Sequence, residues 1–129
     1  MRAIRITVGG VTAEADLNET RTAAAIWEAL PLAASASVWG DEIYFGIPLA
    51  LGTERGQETV ALGDLGYWEP GSAFCIFYGR TPASRGDEIR PYSPVTVFGR
   101  LRGDARVFRG TRGGAPVRIE RLAGEQEGR

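Results

Sequence analysis

The chain has 129 residues, of which 43% are hydrophobic and 24% charged, a composition that fits one globular domain rather than a disordered tract. It contains no histidine and no lysine, since all 15 basic residues are arginine, and it holds one cysteine, Cys75. These absences exclude a His-based triad, a Cys/His zinc site, a lysine Schiff base, a P-loop and an internal disulfide, and a net charge of −1 gives no bulk attraction to nucleic acid.

Residues 2–8 alternate, with Ile4, Ile6 and Val8 on one face, and read as a strand. Gly9-Gly10 is a two-residue hairpin signal, and the returning strand is 11–17. Asn18 is placed to cap a helix over 19–30, in which Ala23, Ile26, Trp27 and Leu30 form one apolar stripe. Pro31 ends that helix, and Trp27 is expected to plug the core beneath it. Strands follow at 35–39 and 42–47, joined by a turn at Gly40-Asp41, and then a loop at 51–57. Further strands are expected at 59–62, 66–69 and 73–78, the last a nearly continuous apolar run that belongs in the middle of a sheet. Residues 79–94 carry three prolines and two glycines and form the longest irregular segment, of a length that often carries function. A strand at 95–101, a short helix near 103–109 and a closing strand at 116–122 complete a single domain over 1–122, with a frayed polar tail over 123–129. Short strands joined mostly by tight turns predict an all-β fold with antiparallel pairing, closed so that no sheet edge is left open.

The charge is unevenly spread: residues 1–70 hold 4 arginines against 10 acids, and residues 71–129 hold 11 arginines against 6 acids. The simpler consequence is that the two halves face each other in one barrel, and the other is a basic surface made by Arg100, Arg102, Arg106, Arg109 and Arg112. The same asymmetry offers a route to a homo-oligomer. No run of 18 apolar residues is present to span a membrane, and the N-terminal alternation lacks the apolar core of a signal peptide. With one free cysteine, the expected location is cytoplasmic.

Gly71-Ser-Ala-Phe-Cys-Ile76, in the C-terminal half, resembles the Gly-Ser-Gln-Phe-Phe-Ile strand of cyclophilins, the prolyl isomerases with an eight-stranded barrel. Val97-Phe-Gly-Arg-Leu101, then Gly103 and Pro116-Val-Arg-Ile119, is similar to their Val-Phe-Gly strand, helical turn and closing strand. The closer resemblance is to the small stand-alone cyclophilin-like proteins of bacteria and archaea, which have no assigned activity. It rests on Gly40-Asp-Glu-Ile-Tyr-Phe45, Gly63-Asp-Leu-Gly-Tyr-Trp68, Pro70-Gly71, Ala73-Phe-Cys-Ile-Phe77, Gly79, Thr81-Pro82, Glu88-Ile-Arg-Pro91 and Ser93-Pro94-Val95. The resemblance implies a closed cyclophilin-like barrel of about eight antiparallel strands with one or two flanking helices.

The isomerase residues do not carry over. The cyclophilin arginine falls at Phe45, the glutamine at Ala73, the groove phenylalanine at Cys75 and the histidine at Val95, so no catalytic residue is assigned. Since Phe45 cannot donate to the twisted imide, an isomerase would need Arg80 or Arg90 to enter from the long loop. The replacements are all apolar, which leaves two readings: a groove filled to extend the core, or an apolar pocket with polar groups at its rim. The rim candidates are Glu42, Tyr44, Trp68, Tyr78, Arg80 and Arg90. The expected partner is a small ligand or a peptide, with no metal and no cofactor.

Other patterns point to turns or core. Asp41/Glu42 and Asp87/Glu88 are adjacent pairs whose members face opposite ways on a strand and so make no ready dyad. Cys75, between Phe74 and Ile76, reads as a small buried hydrophobe. Arg85-Gly-Asp87, Arg102-Gly-Asp104 and Gly113-Gly114 read as turns, and Tyr67-Trp68 as a stacking platform for nucleic acid finds no support in the charge.

Overall fold

The computed structural model describes residues 2–122; the expected frayed tail over 123–129 lies outside the described residues. Nine strands and one α-helix follow in the order β1 (Ala3–Val8), β2 (Val11–Leu17), α1 (Arg21–Ala29), β3 (Leu32–Ser35), β4 (Ser37–Val38), β5 (Glu42–Gly46), β6 (Asp64–Trp68), β7 (Ala73–Phe77), β8 (Thr96–Leu101) and β9 (Pro116–Arg121). They make one antiparallel sheet in the order β3-β9-β1-β2-β8-β6-β7-β5-β4. Its two ends, β3 and β4, are consecutive pieces of the same stretch of chain. That stretch pairs with β9 from Leu32 to Ser35, bends at Ala36 and pairs with β5 from Ser37 to Val38. The bend is satisfied on both sides: Ala36 N–H donates to the Ala115 carbonyl and Gly114 N–H to the Ala36 carbonyl, each at 2.8 Å. The sheet is thereby wrapped into a nearly closed barrel, the all-β cyclophilin-like architecture expected from sequence.

Three local expectations change. The strand expected at 35–39 begins at Leu32 and is split by the bend. Residues 59–62 form no strand and contribute a single bridge, Val60 to Ile89. The α1 cap is Thr20 rather than Asn18: Thr20 Oγ1 accepts from Ala23 N–H at 3.0 Å. Asn18 is occupied otherwise, accepting from Thr20 N–H and Oγ1 and donating to the Val97 carbonyl at 2.8 Å, so it ties the entry of α1 to β8. A second tie is Glu54, whose carboxylate accepts from the backbone N–H of Arg21 and Thr22 at 3.1 Å each. These bonds at a helix N-terminus, the one from Arg21 first, hold its pKa below the usual carboxylate value.

The barrel interior is filled by Ile4, Ile6, Ile43, Leu65, Phe74, Ile76, Phe98 and Ile119, all fully buried. Trp27 from α1 joins them, 1% exposed, as its place in the stripe predicts. The Arg121 guanidinium stacks 4.7 Å from its ring centre and donates to the Trp27 carbonyl. Tyr67 is also interior, donating to the Leu49 carbonyl at 2.7 Å, and so presents no stacking surface. Part of the charge asymmetry is taken up within the chain, where three C-terminal arginines pair with acids of the N-terminal half. Arg102 reaches Asp16 at 2.7 Å and Glu14 at 3.1 Å, Arg100 reaches Asp64 at 3.0 Å, and Arg109 reaches Asp41 at 3.9 Å. Arg106 pairs with Asp104 beside it, where the arginine's hydrogen bonds lower the carboxyl pKa. Among the described residues no helix is long and apolar enough to cross a membrane.

Candidate functional site

β5, β7, β6 and β8 lie side by side, and strand alternation sorts their side chains. Ile43, Phe45, Phe74, Ile76, Leu65 and Tyr67 belong to the interior cluster, whereas Tyr44, Ala73, Cys75, Phe77 and Trp68 belong to a separate one on the outer face. The segments 51–60 and 79–94 cover that face, anchored by the bridges Gln57 to Val95 and Val60 to Ile89. Ile89 and Val95 complete the small outer core. Part of the expected groove is therefore filled.

Above this cluster a cavity of about 150 Å³ remains. Four aromatic side chains line it: Trp39, Tyr44, Trp68 and Tyr92, with Glu42, Pro91 and Val95 completing the wall. The Tyr92 ring meets Trp39 at 6.0 Å and 65°, and Trp68 at 5.9 Å and 82°. Rings set close to right angles form walls rather than a stack. Two of the walls, Trp68 and Trp39, are held by their surroundings. Trp68 Nε1 donates to Ser93 Oγ at 2.6 Å, which pins the ring to the long loop. Its other side lies so close to Gly71 that a Cβ there would stand 2.8 Å from the ring. Trp39 enters the β4–β5 hairpin, where Trp39 N–H donates to the Glu42 carbonyl at 2.9 Å. Gly40 makes that turn with a positive φ of 61°, and a Cβ there would meet Pro82 and the Arg80 carbonyl.

Glu42 is the unusual member. It is 6% exposed, and its Oε1 has no hydrogen-bond partner among the described residues. Burial pushes its pKa up to about 7, against a hydrogen bond from the Cys75 thiol that pulls it down. Cys75 lies diagonally across the β5–β7 pairing, and its thiol also approaches the Ala73 carbonyl at 3.9 Å. Burial, and then the Glu42 charge, raise the thiol well above its ordinary range, so Cys75 is no nucleophile.

The residues expected at the groove divide into three groups. Glu42, Tyr44, Trp68 and Val95 line the cavity, and Ala73 and Cys75 lie in the cluster beneath it. Phe45 and Tyr78 are inside the barrel instead: Phe45 stacks on Phe74 at 4.9 Å and Tyr78 packs against Phe108 at 6.3 Å. The arginines lie outside it. Arg90 clamps Glu88 at 2.6 Å and Glu58 at 3.6 Å, and exposed Arg80 donates to the Ser84 carbonyl at 3.3 Å. Sequence reasoning missed Trp39, Pro91 and Tyr92. The available signals were a tryptophan immediately before the hairpin turn into Glu42, and a tyrosine between two prolines in the long loop. A larger depression of about 980 Å³ runs past Asp16, Asn18, Thr20 and Arg100, but its Asp16 and Asp64 carboxylates are already paired with arginines.

Fold and site together define a cyclophilin-type barrel with an aromatic-lined pocket on its outer face. The Cyclophilin-like family model matches residues 2–120, and the chain belongs to that family. It is similar to a hypothetical protein of Archaeoglobus fulgidus with a known solution structure, at 38% identity over 94% of this chain and 95% of that one, with a TM-score of 0.79. No curated protein matches the chain.

Proposed function

We propose that this protein is a binding module whose site is the outer-face cavity, taking a small ligand or one side chain of a peptide. The observation that carries this reading is the cavity itself, about 150 Å³ walled by four aromatic rings. That volume admits a group the size of benzene. Aromatic walls with few polar groups are the usual form of a small-ligand site. The placement also favours binding over catalysis: Arg90 is held by two carboxylates and Arg80 by a backbone carbonyl, so neither is positioned over the cavity. A single buried cysteine is in keeping with a reducing, cytoplasmic setting. Nitrogen–proton NMR with a fragment library and with proline-containing peptides tests the reading. Shifts should cluster on the indole signals of Trp39 and Trp68 and on the Val95 amide. Shifts confined to other surfaces, or none at all, would overturn it.

A further inference from the structure

We propose that the cavity is a cage for an N-alkylated organic cation, a quaternary or trimethylated ammonium group, with Glu42 as its counter-charge. This rests on the cavity being a binding site and names the chemistry it selects. Three observations converge on a cation. The walls are π-rich, and three of the rings meet close to right angles, so a guest between them meets several faces and edges at once. Glu42 is the one ionisable acid among the lining residues, and its Oε1 is buried with no partner. Among the described residues no arginine lines the cavity to neutralise that carboxylate. An unpaired buried carboxylate is costly, and a cationic guest relieves that cost.

The number of hydrogen bonds on offer selects the alkylated form. A primary ammonium is strongly hydrated and carries three N–H donors that need acceptors once water is removed. Here the lining offers one carboxyl, with one unpartnered oxygen among the described residues, and is otherwise mostly aromatic. A trimethylammonium group has no N–H, spreads its charge over its methyl groups and is held by aromatic rings. Its compact head also suits a cavity of about 150 Å³. The same cationic head is found on free small molecules and on trimethylated lysine side chains, and the cage reads only the head.

Titration calorimetry at pH 8, above the value of about 7 to which burial raises Glu42, tests this with choline, with its uncharged tert-butyl isostere and with a trimethyllysine peptide. Choline should bind about tenfold tighter than the isostere, from the ring faces and the Glu42 charge acting together. Glu42→Gln should narrow that preference severalfold by removing the counter-charge, and an unchanged preference would overturn the role of Glu42. Tyr92→Ala, at a position 76% exposed and so without consequence for folding, should weaken choline by a similar factor. A peptide that binds tighter than choline assigns the head to a protein tail, and the reverse order assigns it to a free small molecule. An isostere that binds as tightly as choline overturns the cation while leaving the pocket standing. Failure of every probe to bind overturns both.

Discussion

Glu42 gives the protein a stability profile that its composition makes easy to read. The folded-state pKa is raised to about 7 from an ordinary 4.5, so the fold favours the protonated carboxyl. The stabilising contribution is therefore complete below about pH 4.5 and is lost as pH rises through 7. Each unit of displacement corresponds to ~1.36 kcal/mol, which makes the loss between pH 5 and pH 8 about 2–3 kcal/mol. The other shifted carboxyls, Glu54, Glu88 and Asp104, are displaced downwards, so their contributions are already in place above about pH 5. With no histidine in the chain, little else titrates in this window. Urea unfolding at pH 5, 6, 7 and 8 should show the native protein weakening by that amount, and Glu42→Gln should be flat. The comparison cancels the terminal amine, which both proteins share. Parallel curves for the two proteins would refute the reasoning, because they would mean that Glu42 ionises in the fold as it does in water.

Gly71→Ala should push a methyl against the Trp68 ring, destabilise the fold by about 1–3 kcal/mol and shift the Trp68 indole signal in NMR. Trp27→Ala should destabilise by about 3–5 kcal/mol in chemical denaturation, since a fully packed ring is lost beneath Arg121. Tyr92→Ala should change stability by less than about 0.5 kcal/mol while opening one side of the cavity, as read by fluorescence quenching of Trp39 and Trp68. A protease-coupled proline-peptide assay should show no rate above the uncatalysed one, because Arg80 and Arg90 are held by other partners away from the cavity; catalysis lost on Arg80→Ala or Arg90→Ala would refute that expectation.

Much of the barrel was legible because local chemistry dictated it. The Gly9-Gly10 hairpin, the Trp27 stripe and the turns at Gly86 and Gly103 each follow from a residue whose conformational demand is local. The outer face was legible at Ala73, Cys75 and Val95, which the structure gathers into one cluster. Facing failed at Phe45. In β7 all five residues are buried, and in β5 burial covers Glu42, Ile43 and Phe45 alike, so alternation no longer marks an inside. Loops 51–60 and 79–94 cause this by covering the outer side of the sheet, which is a tertiary effect. Residues 59–62 read as a strand in sequence because Val60 is apolar for the sake of that cover, where it meets Ile89 in one bridge. Trp39 and Tyr92 lie far apart in the chain and meet only through the folded loop, so no spacing rule joins them. Glu42 was named as a rim group, but its burial depends on rings contributed by the hairpin and the long loop.

The position of β9 between β3 and β1 has a temporal consequence. The first strand can form its hairpin with β2 as soon as residue 17 is available, but its other edge waits for residues 117–121. The bend at Ala36 that wraps the sheet depends on the same late segment, through Gly114 and Ala115. On the ribosome, then, β1, β3 and the chain between them hold open edges until almost all of the described chain has emerged. The closing step joins the most distant parts of the sequence, and such long-range pairing is slow. The barrel is therefore completed after synthesis of its last strand, and the interval before closure is when its edges are exposed to other chains.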